Sequence, residues 1–201
     1  MTRKQNNTKN IINPEVLIQA YKQGYFPMAD HKYGEIYWHC PDPRAVIPLD
    51  SPRKPKSLKR SENKYEFEYK INQRFLEVIT RCSERDDTWI SDEIIDSYMK
   101  LHETKMVHSI ETYVEGELVG GLYGVAIGGA FFGESMFNTV TDASKGAFFH
   151  LIERLKQRNF LLLDSQYINP FTQQLGAIEI TYADYIKRLI KAINLSTTFV
   201  D

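Results

Sequence analysis

Cysteine and recognisable cofactor motifs are scarce in this chain of 201 residues. Its two cysteines, Cys40 and Cys82, do not form a CxxC pair, and no cysteine–histidine cluster has the spacing of a zinc site. They could form a disulfide, although two reduced thiols are the simpler interpretation. Neither GxGxxG, GxxxxGKS/T nor GxSxG occurs. These absences exclude common zinc sites, phosphate-binding loops and a serine-hydrolase nucleophile elbow.

An apolar leader and an apolar run of membrane-spanning length are also missing, which predicts a cytoplasmic protein that does not enter a membrane. The formal net charge of −1 does not suggest a nucleic-acid partner, so any such partner requires a local basic patch. A hydrophobic content of 42% supports a real core, and the length suits one large domain or one domain with a smaller one.

One segment is rich in positive charge. Between Ser51 and Lys64 six positive residues stand against the single acidic Glu62, a net charge of +5 that leaves −6 for the rest of the chain. Pro52 and Pro55 keep its first half extended. The segment is either a phosphate-binding footprint or a solvated linker between two lobes, and the boundary between two domains is expected near Ser61.

The N-terminal half alternates helices with short extended stretches. Asn13 predicts the N-cap of a first helix that Gly24 ends. The proline-containing stretch 36–48 predicts an edge strand or an extended loop, which serves as an aromatic mini-core or contacts substrate. A strand over 65–71 is followed by helices that begin at Asn72 and Ser91. Trp89, just before the second of these helices, is either a hydrophobic staple or a surface for stacking a base.

The C-terminal half predicts a mixed α/β domain. The period changes from 3.6 to 2 after residue 107, and three strands are expected over 108–114, 118–127 and 131–137. Dense glycines in this region suggest bulges or close backbone approach. A helix from Asp142 leads to the apolar run Phe160–Leu163, which favours a strand–helix–strand unit, and a last helix is capped by Thr181.

Polar residues end both strands of that unit. Glu134 follows Gly133, while Asp164 and Gln166 are two positions apart and point the same way. Asp164 is either an ordinary cap or part of a site at a strand end, where α/β sites form. An unpaired Glu134 among apolar residues is costly, which predicts a cation, an amine or N–H groups beside it. The pattern predicts a carboxylate–amide site without naming a reaction.

Short motifs spread over residues 14–192 make the sequence resemble the leucyl/phenylalanyl-tRNA–protein transferases, bacterial enzymes of the N-degron pathway. The motifs are Gly24-Tyr25-Phe26-Pro27-Met28, Pro41-Asp42-Pro43-Arg44, Thr88-Trp89-Ile90, His108-Ser109-Ile110-Glu111, the stretch 118–125, Gly133-Glu134-Ser135-Met136-Phe137, Asp142-Ala143-Ser144-Lys145, Asp164-Ser165-Gln166 and Leu175-Gly176-Ala177.

The resemblance implies a GNAT-like acyltransferase domain over residues 61–201 and a small N-terminal domain over 1–60. It implies that leucine or phenylalanine moves from charged tRNA to the α-amine of a protein that begins with arginine or lysine. No metal or small cofactor is needed, and a monomer is expected.

By the same resemblance, Asp164 and Gln166 form the catalytic pair: Asp164 orients Gln166 or polarises the incoming amine, and Gln166 positions the carbonyl. Glu134 holds an ammonium group, and the proton is transferred either by a protein base or with help from the terminal hydroxyl of the tRNA. Trp89 and Met28 are expected to flank the terminal adenine, and apolar residues form a cup for the side chain of leucine or phenylalanine. The expected substrate contacts are Trp89, Met28, Tyr98, Leu122, Phe132, Ser135, Met136 and Asn169. The expected tRNA contacts, which bind phosphates without reading sequence, are Arg53, Lys56, Lys59 and Arg60.

The chain departs from the family pattern at Met28, where relatives carry tryptophan, and at Pro170-Phe171, where they carry Asp-His. Two other functions remain open from the sequence. An acyl-CoA-dependent N-acetyltransferase of the same fold would require a phosphate loop that is not found. A non-catalytic tRNA-binding protein would keep the basic segment and lose the acidic site, which is present.

Overall fold

A computed structural model describes residues 11–85 and 88–200 of the chain. Within these residues there are seven helices and nine strands. The helices are α1 (Pro14–Lys22), α2 (Lys56–Tyr65), α3 (Phe75–Ser83), α4 (Asp92–Glu103), α5 (Ala143–Gln157), α6 (Pro170–Gln174) and α7 (Tyr182–Ile193). The strands are β1 (Phe26–Ala29), β2 (Ile36–His39), β3 (Arg44–Val46), β4 (Glu68–Ile71), β5 (Val107–Val114), β6 (Glu117–Ile127), β7 (Ala130–Asn138), β8 (Leu162–Gln166) and β9 (Ile178–Ile180).

Seven strands form one sheet in the order β4-β5-β6-β7-β8-β3-β9, while β1 and β2 form a separate hairpin. The pairs in the large sheet are antiparallel except β7 and β8, which are parallel and joined by α5. A parallel pair needs such a crossover because its strands run the same way. The mixed α/β class and the predicted strand–helix–strand unit are therefore confirmed. None of the described helices has the length and apolarity to cross a bilayer.

Two hydrophobic cores cover the two faces of the large sheet. One packs α1, α3, α4 and α7 against it, and the other packs α2 and α5. Phe131 belongs to the α5 core and its neighbour Phe132 to the opposite core. Successive side chains of a strand point to opposite faces, so this part of β7 is buried on both sides.

The helix starts were largely predicted. The side chains of Asn13, Ser91 and Thr181 each accept a hydrogen bond from the first turn of their helices. Asn72, however, is not a cap. It has a φ of 57°, and its side chain accepts a hydrogen bond from the backbone of Ser109, while α3 begins after Arg74. The local sequence could not show this role, because the Asn72 partner lies on another strand.

Three strand predictions were wrong in detail. In the stretch 36–48, β2 is an edge strand of the two-stranded hairpin, as predicted, whereas β3 is not, since it pairs with β8 on one side and β9 on the other. The strand predicted over 65–71 begins only at Glu68, because α2 continues to Tyr65. The predicted buried strand Phe160–Leu163 starts at Leu162, and Leu161 is 47% exposed.

The basic segment is a helix rather than a solvated linker. Leu58 of α2 is fully buried in the α5 core, which anchors the helix. The boundary predicted near Ser61 falls inside α2, where the Ser61 hydroxyl donates to Asp142 Oδ2 at 2.9 Å. Residues 1–10 of the predicted N-terminal domain lie outside the described residues.

Candidate active site

A cavity of about 290 Å³ opens where β7 and β8 stop pairing. Their parallel ladder ends at Phe132 opposite Asp164. Both strands continue beyond this point, and their polar residues Glu134 and Gln166 line the cavity. The predicted convergence of Glu134, Asp164 and Gln166 is therefore observed.

A β-bulge in β7 directs Glu134. Tyr123 of β6 pairs with Ser135 and Gly124 pairs with Gly133, so Glu134 lies between them without a partner in the ladder. A bulge leaves its extra residue unpaired and turns the side chain away from the regular alternation. Gly124 is needed here, because a Cβ at that position would collide with the carbonyl oxygen of Phe132. The predicted close backbone approach is thus found at Gly124.

Uncharged hydrogen-bond donors surround the Glu134 carboxylate. Oε1 accepts from the Tyr21 hydroxyl at 2.7 Å and from Gln166 Nε2 at 3.0 Å, and Oε2 accepts from the Tyr98 hydroxyl at 3.3 Å. The two tyrosine hydroxyls also contact each other. Burial, followed by the charge of Glu134, raises the pKa of both tyrosines well above 10.0, so they remain donors.

The carboxyl group of Glu134 titrates near neutrality. Burial raises its pKa to about 7, and the nearby Asp164 adds to the increase, while the donors from Tyr21, Gln166 and Tyr98 oppose it. A carboxyl group with this pKa can accept a proton at neutral pH and release it again. The geometry gives Glu134 a capacity for proton transfer in addition to its predicted capacity to hold an ammonium group.

Asp164 is enclosed by its own set of partners. Arg44 binds it through Nε at 2.9 Å to Oδ1 and through Nη2 at 2.7 Å to Oδ2, and both side chains are fully buried. The Tyr185 hydroxyl donates to Oδ2 at 2.7 Å. The guanidinium lies between the rings of Phe26 and Tyr185, which are 4.8 and 4.6 Å from Arg44 Cζ. Arg44 thus balances the charge of Asp164 inside the protein.

Asp164 acts on Gln166 through the backbone. Its Oδ1 accepts a hydrogen bond from Gln166 N at 2.8 Å. Gln166 has a φ of 64°, a left-handed conformation that is uncommon for a residue with a side chain. Such a conformation persists only where the surroundings hold it, and here the carboxylate of Asp164 does so. This conformation directs the Gln166 carboxamide toward Glu134.

The other end of the cavity is apolar. Leu122 and Met136 are direct cross-strand partners and form part of its wall, as predicted. Other apolar residues of this part of the lining are Ile47, Phe148, Leu151, Leu163, Phe171 and Leu175. Phe171, one of the three residues at which the sequence departs from the family pattern, thus becomes part of this wall. A carboxylate, an amide and an apolar pocket in one cavity suit the transfer of an apolar acyl group to an amine.

Trp89 and Met28 lie next to each other at the cavity. The carbonyl of Trp89 accepts a hydrogen bond from Ala29 N, the residue after Met28, at 3.3 Å. Both side chains line the cavity, and both also pack against the hydrophobic core. Ser135 lines the cavity as well. These positions are compatible with the predicted adenine site, and the binding role of each residue remains a prediction.

Three predicted contact residues have other tasks in the structure. Tyr98 and Phe132 are fully buried and do not line the cavity; Tyr98 donates to Glu134 from behind, and Phe132 packs on Tyr21. Asn169 lines the cavity, but its side-chain oxygen accepts from the backbone of Phe171 and Thr172 at 2.9 Å each and caps α6.

The four predicted tRNA contacts lie apart from the cavity. Arg53, Lys56, Lys59 and Arg60 are exposed on α2 and in the turn before it, and none lines the cavity. Their position leaves them accessible to a large ligand, and their binding to phosphates remains a prediction.

Several site residues were missed from the sequence. Arg44 precedes the apolar run 45–47, and a buried arginine there should have implied an acidic partner. Tyr21 and Tyr185 were not predicted as site residues, yet a buried tyrosine hydroxyl requires a partner. Nothing in the sequence indicated that Arg85 lines the cavity.

Two solved structures have a limited similarity to the fold. Among solved structures, the chain is similar to L-PGS from Bacillus licheniformis, with a TM-score of 0.45, 13% identity and coverage of 89% of this chain and 70% of that one. It is similar also to a GCN5-related glucosamine N-acetyltransferase region of a fungal β-N-acetylglucosaminidase, with a TM-score of 0.44, 10% identity and coverage of 88% and 24%. Similarity at this level carries no conclusion about the class or activity of this chain.

The sequence comparisons are more specific. The family model for leucyl/phenylalanyl-tRNA protein transferase matches residues 46–190, and the model for the N-terminal domain of that family matches residues 10–42. The chain is 50% identical over 188 residues to the leucyl/phenylalanyl-tRNA–protein transferase of Gloeobacter violaceus, covering 94% of this chain and 97% of the relative. It is 47% identical over 194 residues to that of Chlorobaculum tepidum, covering 94% and 100%.

The chain therefore belongs to the leucyl/phenylalanyl-tRNA–protein transferase family, which confirms the resemblance. The match to the N-terminal family model ends at residue 42, and the match to the other model begins at residue 46, before α2. The division into domains near residue 60 remains a prediction.

Proposed function

We propose that this protein transfers leucine or phenylalanine from charged tRNA to the N-terminal α-amine of proteins that begin with arginine or lysine, as a step of the N-degron pathway. The observation that carries the proposal is Glu134, a carboxyl group with a pKa of about 7 at the polar end of an apolar cavity. Family membership supports the same reaction. The protein works as a monomer in the cytoplasm, without a metal or small cofactor.

In this proposal Glu134 first pairs with the ammonium group of the acceptor protein and then takes a proton from it. The free amine attacks the ester carbonyl carbon, and the bond from that carbon to the ribose oxygen breaks. This proton passes to the ribose oxygen, and Glu134 takes the second proton that the nitrogen loses and releases it to solvent, so that the products are an amide, a tRNA with a free terminal hydroxyl and one proton. A group that accepts and later donates a proton works best with a pKa near the working pH, which Glu134 has.

Gln166 holds the carbonyl of the ester in this scheme. Its carboxamide donates to Glu134 in the empty site and takes the carbonyl oxygen as a new acceptor when the donor binds. A donor directed at the developing negative charge lowers the barrier most when it is already oriented. Asp164 supplies that orientation by accepting from Gln166 N, which makes Asp164 a positioning residue.

The rest of the cavity binds the donor. The side chain of leucine or phenylalanine enters the apolar end beside Leu122 and Met136, where shape and hydrophobicity accept both. The terminal adenine lies against Trp89 and Met28. Lys59 and Arg60, together with Lys56 and Arg53, contact phosphates of the acceptor stem without reading its sequence.

Incubation with charged leucyl-tRNA and peptides that begin with arginine, lysine, aspartate or glutamate tests the proposal. We expect leucine on the arginine and lysine peptides only, detected by mass spectrometry. Glu134→Gln serves as the matched variant, because it keeps the shape of the side chain and removes its proton-accepting form.

Absence of transfer to every peptide would refute the proposal. Acetyl transfer from acetyl-CoA to the same peptides would identify an acyl-CoA-dependent N-acetyltransferase instead. Binding of leucyl-tRNA without transfer from any donor would identify a non-catalytic tRNA-binding protein.

A further inference from the structure

Arg85 is a cation at the cavity that the reaction scheme above does not use. Its side chain is exposed, lines the cavity, and donates from Nη2 to the Ser135 hydroxyl at 2.7 Å. Ser135 follows Glu134 directly, so the guanidinium lies close to the polar end. Among the described residues that line the cavity, Arg85 alone carries a positive charge.

The charges of the two substrates indicate which of them Arg85 binds. The acceptor brings a positive α-amine and, in the proposed function, a positive first side chain, and like charges repel. The donor brings a negative phosphodiester on the 5′ side of its terminal adenosine. An arginine offers several N–H groups in a planar fork that matches phosphate, and the bond to Ser135 orients that fork at the cavity while using one of them.

The proposed position of the terminal adenine also favours a contact between Arg85 and the phosphate of the donor. Trp89, the proposed adenine surface, is four residues after Arg85, and both side chains line the cavity. In a nucleotide the 3′-oxygen and the 5′-phosphate lie on opposite sides of the ribose. With the ester beside Glu134 and Gln166 inside the cavity, the phosphate therefore lies outward, where the exposed guanidinium is.

We propose that Arg85 binds the phosphate group on the 5′ side of the terminal nucleotide of the donor. The inference rests on the proposed function and deepens it, because it adds a phosphate subsite at the cavity, distinct from the basic helix α2. The site recognises the phosphate whatever the bases before it, so it aligns the ester in every charged tRNA that enters.

Two small donors test this directly. One is adenosine with leucine esterified at its 2′/3′ position and a free 5′-hydroxyl, and the other is the same ester with a 5′-phosphate methyl ester. With an arginine-starting peptide as acceptor, we expect kcat/KM of the wild-type protein to be about tenfold to a hundredfold higher for the phosphorylated donor, the range of a charge-assisted hydrogen bond. Arg85→Gln should bring the ratio to about one by lowering only the value for the phosphorylated donor, and Arg85→Lys should give an intermediate ratio.

Arg81→Gln is the matched control. Arg81 lies on α3, pairs with Glu77 at 3.8 Å and does not line the cavity, so the same loss of charge there should keep the ratio of the wild-type protein. The full-length donor provides a second measurement. Leucyl-tRNA with a neutral methylphosphonate before its terminal adenosine should react more slowly with the wild-type protein, and Arg85→Gln should not distinguish it from ordinary leucyl-tRNA.

Three other outcomes would contradict either the phosphate subsite or the proposed function. Equal kcat/KM for the two small donors with the wild-type protein would overturn the phosphate subsite. A loss of the same size for both donors in Arg85→Gln would also overturn it, and would mean that Arg85 only orders Ser135. Failure of every donor, ordinary leucyl-tRNA included, would refute the proposed function instead.

Discussion

Asp164→Asn removes the charge of the buried carboxylate while it keeps the shape of the side chain. The Arg44 guanidinium then lies without an anionic partner in a place where both side chains have 0% exposure. Breaking one member of a buried ion pair costs about 3–5 kcal/mol, against a total stability of roughly 5–15 kcal/mol for a domain. We expect a fall in Tm of about 6–20 °C, since 1 kcal/mol corresponds to about 2–4 °C at this chain length.

A double variant separates the effect of the charge on stability from the effect of the hydrogen bonds. In the double variant Arg44→Gln with Asp164→Asn, no unpaired charge remains, and the asparagine oxygen can still accept from Gln166 N. The double variant should therefore be more stable than either single variant, with a coupling energy of up to about 3 kcal/mol between the two sites. Urea unfolding of all four forms, with m-values compared, measures this coupling.

The transfer rate of the same four proteins tests the positioning role. At a temperature where all are folded, Asp164→Asn should be slow because the unpaired charge of Arg44 disturbs the site that orients Gln166, and the double variant, which has no such charge, should regain part of the rate. Additive losses below about 1 kcal/mol each would contradict the stability argument, since that is the behaviour of an exposed pair. A double variant that is stable and fully inactive would contradict the positioning role and give Asp164 a direct part in the chemistry.

Three further predictions concern single groups. The kcat/KM of wild-type transfer should rise as the pH increases through about 7, because Glu134 loses its proton there. Folding raises the pKa of Glu134, so the wild type should lose stability relative to Glu134→Gln as the pH rises through about 7. This advantage of the variant should disappear below pH ~4.5. Tyr123→Phe removes a buried hydroxyl with no hydrogen-bond partner among the described residues, so Tm should stay equal or rise, and a clear fall would reveal a partner. Lys59→Glu with Arg60→Glu should weaken tRNA binding and flatten its salt dependence, while Lys187→Glu on α7 should do neither.

The convergence of the site could be predicted because its geometry is local to one supersecondary unit. Residues just beyond the last paired positions of two parallel strands joined by a crossover helix lie on the same side of the sheet, which brings Glu134 near Gln166. The apolar stripe of α5 and the period of two in β5 to β7 follow from burial of one face or both. Such signals need only a short window of sequence.

The partners of Asp164 could not be predicted in the same way. Arg44 lies 120 residues away in the chain, and the prolines around it suggested an edge strand. Those prolines flank the three residues of β3 instead of interrupting them, so both sides of the strand remain free to pair. The edge-strand prediction, which is wrong for β3, obscured Arg44, the one fully buried arginine among the described residues.

The two carboxylates of the site have separate tasks because their surroundings differ. Asp164 is held by a guanidinium, a tyrosine hydroxyl and a backbone N–H, which balance its charge and fix its place. Glu134 is held by uncharged donors only, and burial raises its pKa to about 7. A carboxyl group whose surroundings bring its pKa near neutrality is suited to transfer protons. The resemblance pairs Asp164 with Gln166 as the catalytic residues, and the hydrogen bond from Gln166 N to Asp164 agrees with Asp164 orienting Gln166. In the proposed function, Glu134 is the residue that transfers the proton.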